Sequence, residues 1–137
     1  MANFAPAPAL GDIVLCRFPQ SVGVPGPKIR PALVIGVALQ AHAVRVAYGT
    51  SKKLDRLYPT EFCIEQHSPG YIASGLSFPT KFDLARQVKL PFTTEWFAAV
   101  NRIPPPKPPP KLGVLHAAHF KDAQRAAIES ERLRARR

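Results

Sequence analysis

The chain has 137 residues, 46% of them apolar, and carries 19 Lys and Arg against 9 Asp and Glu, a formal charge of +10 at neutral pH. That length suits one domain with a tail, and the apolar share suffices for one core. No apolar run nears the roughly 18–20 residues of a membrane span, and the start M-A-N-F-A-P-A-P-A-L lacks the basic and apolar regions of a secretory leader, so a cytoplasmic chain without membrane contact is expected. The positive bias points to a polyanionic partner such as RNA, DNA or an acidic protein in preference to a merely solvated tail, the plainer reading of the three Arg in the last four positions. Cys16 and Cys63 each lie in an apolar run with no Cys/His cluster beside them, which argues for reduced, buried thiols rather than a zinc site.

Residues 1–9 alternate Ala and Pro and read as a flexible lead-in. Ile13–Phe18 is β-branched and apolar and closes at Pro19, a strand. The loop 19–28 holds three Pro and two Gly, which excludes helix and central strand. Ala32–Val37 is a continuous apolar run, the pattern of a strand buried on both faces. In Val44–Tyr48 the residues alternate, so Val44, Val46 and Tyr48 share a face. Gly49 to Lys53 is a small, polar, basic turn, and Phe62–Ile64 is a further strand. Thr80–Leu90 fits either period, but its stop at Pro91 and the short elements around it favour strand.

Phe92–Val100 is expected to be a short helix capped by Thr93 or Thr94, with Trp96 and Phe97 in the core. Residues 104–111 form a polyproline strap, read as a stiff spacer rather than a ligand for a Pro-recognition module. Residues 112–137 carry a basic C-terminal helix over Ala117–Arg136, with Phe120, Ala123, Ala127, Ile128 and Leu133 along its apolar face. Many short strands, short helices and one terminal helix make the chain mainly β, a small β-barrel over residues 10–103.

Several polar groups follow or precede strands: Arg30 before the second, Thr50 and Ser51 with Lys52 and Lys53 after the third, Gln87 and Lys89 in the last. A barrel can gather such strand ends into one hydroxyl-and-cation cluster, which is what phosphodiester cleavage without a metal requires. Lys52, Lys53 and Arg56 read as a strip for a nucleic-acid backbone. The plainer readings are a surface charge for Arg30 and turn chemistry for Thr50. His116 and His119 can share a helix face, but no third ligand is evident, and no metal or cofactor is expected.

The order G-D-I-V, Pro/Gly loop, R-P-A-L-V-I, V-R-V-A-Y-G-T, P-T-E-F and Q-V-K resembles the PemK/MazF toxins across roughly residues 10–100. The resemblance implies the SH3-like barrel shared with CcdB-type toxins, working as a homodimer. It also implies a sequence-specific, metal-independent endoribonuclease that cuts single-stranded RNA and is restrained by a cognate antitoxin. By position it makes Arg30 and Thr50 catalytic, with Lys28, Ser51, Lys52, Lys53, Gln87 and Lys89 as RNA-binding residues. Arg86 stands where many relatives carry an acid, and the loop 19–28 is unusually Pro-rich. Two other functions suit the same fold: a module that holds nucleic acid or gyrase without cutting, and an inactive co-repressor.

Overall fold

The computed structural model describes residues 2–100 and 109–136. Six strands form one antiparallel sheet: β1 (Asp12–Cys16), β2 (Arg30–Ala38), β3 (Ala43–Thr50), β4 (Glu61–Ile64), β5 (Thr80–Pro91) and β6 (Lys111–Val114). They lie in the order β4-β5-β3-β2-β1-β6, and the sheet curls into a half-barrel. A single turn, α1 (Tyr71–Ser74), and a long helix, α2 (Phe120–Ala135), complete the fold, with a 3-10 turn at Ala117–His119 leading into α2. No helix among the described residues is long and apolar enough to cross a membrane. This is the mainly β architecture with a C-terminal helix expected from the pattern of apolar runs.

The period of two along each strand divides the apolar residues between two faces. Ile13, Leu33, Ala47, Phe62 and Phe82 point to one side, where Leu76, Leu112 and Ala126 of α2 cover them. Val14, Ala32, Val34, Val44 and Val46 point to the other, against Leu90, Phe92, Trp96 and Phe97, with Tyr48 at the margin. The continuous apolar run of β2 is therefore needed, since both of its faces are buried.

The segment after β5 is not a helix. The Trp96 carbonyl accepts the Arg17 N–H at 2.7 Å, the Ala98 N–H donates to the Leu15 carbonyl at 3.1 Å, and Phe97 bridges Cys16. Only one turn forms, with the N–H groups of Trp96 and Phe97 both donating to the Thr93 carbonyl. Pairing with the end of β1 claims backbone groups that a helix would need. Trp96 and Phe97 are buried nonetheless. The lead-in is tied to the same segment: Phe4 N–H donates to the Phe92 carbonyl at 3.0 Å, and Asn3 bridges Thr93.

Strand β6 lies across the expected junction of strap and helix. Most of the polyproline strap, residues 104–108, falls outside the described residues, while Pro109 and Pro110 form a turn into β6. A side chain at Gly113 would sit 2.3 Å from the Ala73 carbonyl oxygen, so this strand packs backbone against backbone on α1. The helix after it also turns a different face inward. Ala126 and Ser130 are the buried positions of α2, with Ala123 and Ala127 partly buried, whereas Phe120, Ile128 and Leu133 are exposed. Small residues let the helix lie close to β5, where Ser130 Oγ donates to the Leu84 carbonyl at 2.9 Å.

Both thiols are free. Burial pushes Cys16 up to about 12. Burial and then Glu65 raise Cys63 to about 11, against the opposing pull of Lys81. Because the thiolate is the nucleophile, neither should react appreciably with iodoacetamide at pH 8 in the native protein. Intact-mass spectrometry checks this: no adduct is expected until denaturant is added, and then two.

Candidate functional site

Arg30 opens β2 and Thr50 closes β3. The register runs Leu33 opposite Ala47 and Ala32 opposite Tyr48. Arg30 and Thr50 lie two residues beyond that last pair on their own strands, so they share one rim of the sheet. Gly49 is required between them, because a Cβ there would stand 2.4 Å from the Pro31 carbonyl oxygen and 2.8 Å from the Phe82 ring. Gly49→Ala is expected to lower stability by about 1–3 kcal/mol through overpacking, read as a lower midpoint in urea with the slope unchanged.

Two clefts meet at this rim, and Arg30 and Thr50 line both. One, of about 550 Å³, is mostly apolar, walled by Leu15, Pro31, Leu76, Phe78 and Val100. The other, of about 310 Å³, is a charged trough lined by Lys52, Lys53, Lys81 and Arg86 together with Tyr48, Tyr58, Glu61 and Asp83. The guanidinium carbon of Arg30 lies 5.8 Å from the centre of the Tyr48 ring. Thr50 Oγ1 accepts the Lys52 N–H at 3.2 Å, a local turn bond that occupies an oxygen lone pair and disposes the hydroxyl to donate.

The cations after Thr50 ride on a loop held from beneath by a buried ion pair. Lys81 Nζ lies 3.2 Å from Glu61 Oε2 and donates to the Arg56 carbonyl at 2.9 Å. Glu61 Oε1 accepts the Tyr58 N–H at 2.9 Å. From α2, Arg125 adds bonds to the Pro59 and Glu61 carbonyls at 2.8 and 3.1 Å.

Of the residues singled out in the sequence, Arg30, Thr50, Ser51, Lys52 and Lys53 come together at the two clefts. Lys28 is exposed on the preceding loop and lines neither. Gln87 and Lys89 line neither of these clefts but, with Arg86, a neighbouring one. They pair with Ala47 and Arg45, further back along β3, and Gln87 Nε2 is spent on the Leu84 carbonyl at 2.7 Å. Lys81 and Arg86 of the same strand line the trough. The alternation K-F-D signalled Lys81 and Asp83 on one side of β5, with Phe82 in the core. Arg86 carried no such signal, because a shift of register precedes it. His116 Nδ1 accepts the Ala118 N–H at 3.0 Å, and His119 is buried against Gly70. Among the described residues no group of three or more His, Cys, Asp or Glu is placed to hold a metal ion.

No protein-family model matches the sequence, and no curated protein does. Solved structures do match. A mycobacterial endoribonuclease in complex with its cognate antitoxin superposes with a TM-score of 0.58 at 15% identity, over 93% of this chain and 97% of that one. The Mycobacterium tuberculosis toxin MazF-mt6 gives 0.59 at 16% identity, over 88% and 96%. The fold is MazF-like. A second mycobacterial endoribonuclease agrees, at 0.56 and 15% identity over 92% of each chain. At such identity the MazF-like scaffold is what is shared, and the chemistry has to be argued from the residues that this chain places on it.

Proposed function

We propose that the chain is the toxin of a toxin–antitoxin pair, an endoribonuclease that cuts single-stranded RNA with its own side chains. The observation that carries this reading is the rim where Arg30 and Thr50 meet between a charged trough and an apolar cleft, on a scaffold shared with endoribonucleases. The trough suits a phosphate and the apolar cleft an unstacked base, the two halves of a single-stranded substrate.

In the reaction the 2′ oxygen attacks the neighbouring phosphorus and the bond to the 5′ oxygen breaks. This leaves a 2′,3′-cyclic phosphate on one product and, once the departing 5′ oxygen has taken a proton from solvent water, a 5′ hydroxyl on the other. Arg30 stabilises the charge that grows on the non-bridging oxygens, as a guanidinium fork does well. Thr50, its oxygen already engaged, donates a hydrogen bond to the same non-bridging oxygens. Glu61 is committed to Lys81; Asp83 is the other trough carboxylate, and with Oδ1 engaged by Thr60 and Ala85 it would take the 2′ proton on Oδ2. Lys52 and Lys53 bind the flanking backbone.

A homodimer, an acidic antitoxin drawn by the charge of +10, and a cytoplasmic location belong to the same reading. Its test is incubation of the purified chain with a long single-stranded RNA in EDTA. Discrete fragments ending in cyclic phosphate are expected. RNA or gyrase retained without any cutting would move the reading to a non-catalytic binding module.

A further inference from the structure

Arg86 stands where the sheet breaks its own register. Strands β3 and β5 pair Ala47 with Gln87 and Tyr48 with Asp83, so Leu84, Ala85 and Arg86 have no partners on β3. Extra residues in one strand bend it and re-aim its side chains. This bulge is fixed from several directions. Asp83 Oδ1 accepts the Ala85 N–H and the Thr60 hydroxyl, both at 2.9 Å. The Leu84 carbonyl accepts Gln87 Nε2 at 2.7 Å and Ser130 Oγ from α2 at 2.9 Å.

The consequence is where Arg86 lands. Its guanidinium carbon lies 4.0 Å from the centre of the Tyr48 ring and 5.8 Å from that of Phe18. Arg30 approaches the same Tyr48 ring at 5.8 Å, and both arginines line the trough that holds Thr50. Among the described residues neither is ion-paired with a carboxylate. Two like charges beside one ring repel each other, and an anion bound at the trough would offset that repulsion. Stacking on Tyr48 fixes the plane of Arg86 and leaves its N–H edge available to fork onto oxygen.

We propose that Arg86 is a second phosphate-contacting residue of this cleft, gripping the RNA backbone together with Arg30. The inference deepens the ribonuclease reading and rests on it. The test measures binding of a single-stranded RNA 2′-O-methylated at every sugar, which lacks the nucleophile, by fluorescence anisotropy across a range of KCl. It compares the full chain with its Arg86→Gln and Arg86→Lys variants, beside cleavage of ordinary RNA. For Arg86→Gln the slope of log affinity against log salt is expected to flatten by about 0.7, one phosphate contact to a single strand. Cleavage by that variant is expected to slow by about 10²-fold. Arg86→Lys keeps the charge and should keep the slope while losing part of the rate; a residue that only packs on Tyr48 would not change the slope in either variant. Arg86→Gln with the wild-type slope overturns the proposal and leaves the ribonuclease reading standing, provided the wild type cuts. A wild type that neither binds nor cuts RNA overturns both.

Discussion

Arg30→Ala is expected to lower the single-turnover rate of RNA cleavage by about 10²–10³-fold, the loss seen when one donor to a developing oxyanion is removed. The fold should hardly notice. Arg30 is half-buried at a strand end, and its visible contact is the Tyr48 ring at 5.8 Å. A cation–π contact of this kind is worth about 0.5–1 kcal/mol, so the denaturation midpoint should move little. The diagnostic comparison is Arg30→Lys. Lysine restores the charge but offers a point donor rather than a planar fork. It should recover RNA binding more than the rate, because the two-pronged geometry matters most when negative charge accumulates in the transition state. Single-turnover rates at saturating enzyme, beside a urea titration of each variant, separate these effects. Equal rates for wild type and Arg30→Ala would remove Arg30 from the chemistry.

The two residues at the rim were legible because each is a strand end beside a backbone signal. Pro31 begins an apolar run, and Gly49 ends an alternating one. The sheet was legible for a similar reason, since strands buried on both faces must be apolar and short. What escaped depends on contacts made at a distance. The K-L-G-V of β6 follows a proline run and has little β character of its own; it is a strand because β1 has an open edge and Gly113 lets it reach α1. Phe92–Val100 has a cap and helical spacing, yet the edge of β1 outcompetes the helix for its backbone groups. The inward face of α2 was misphased because Ala126 and Ser130 are small, and apolar patterning weights Phe120, Ile128 and Leu133 more heavily. The family resemblance makes Gln87 and Lys89 RNA-binding residues. With the bulge at Leu84–Arg86, Gln87 and Lys89 line a neighbouring cleft together with Arg86, and Arg86 also lines the trough. A bulge leaves almost no trace in a single sequence, so the placement of Arg86 comes from tertiary structure rather than from residue chemistry.

Lys81→Met is expected to destabilise the protein by about 3–5 kcal/mol, the range for removing one partner of a buried ion pair. The side chains of Lys81 and Glu61 are 7% and 8% exposed and 3.2 Å apart. With Met in place, the Glu61 carboxylate stays in the interior without its counter-charge, and the Arg56 carbonyl loses its donor. A drop in the thermal midpoint of roughly 10–20 °C follows for a domain of this size. The double variant Glu61→Leu/Lys81→Met separates stability from function. Removing both charges together avoids the orphaned carboxylate, so much of the lost stability should return. The Tyr58 N–H would still lack the Glu61 oxygen, however, and the Arg56 carbonyl would still lack Lys81. Those bonds moor the loop that carries Lys52 and Lys53 beside Thr50. The double variant is therefore expected to fold well and yet bind single-stranded RNA less tightly, whereas a pair that served the core alone would return stability and RNA affinity together. Unfolding of Lys81→Met at the wild-type midpoint would show instead that the pair is not held apart from water.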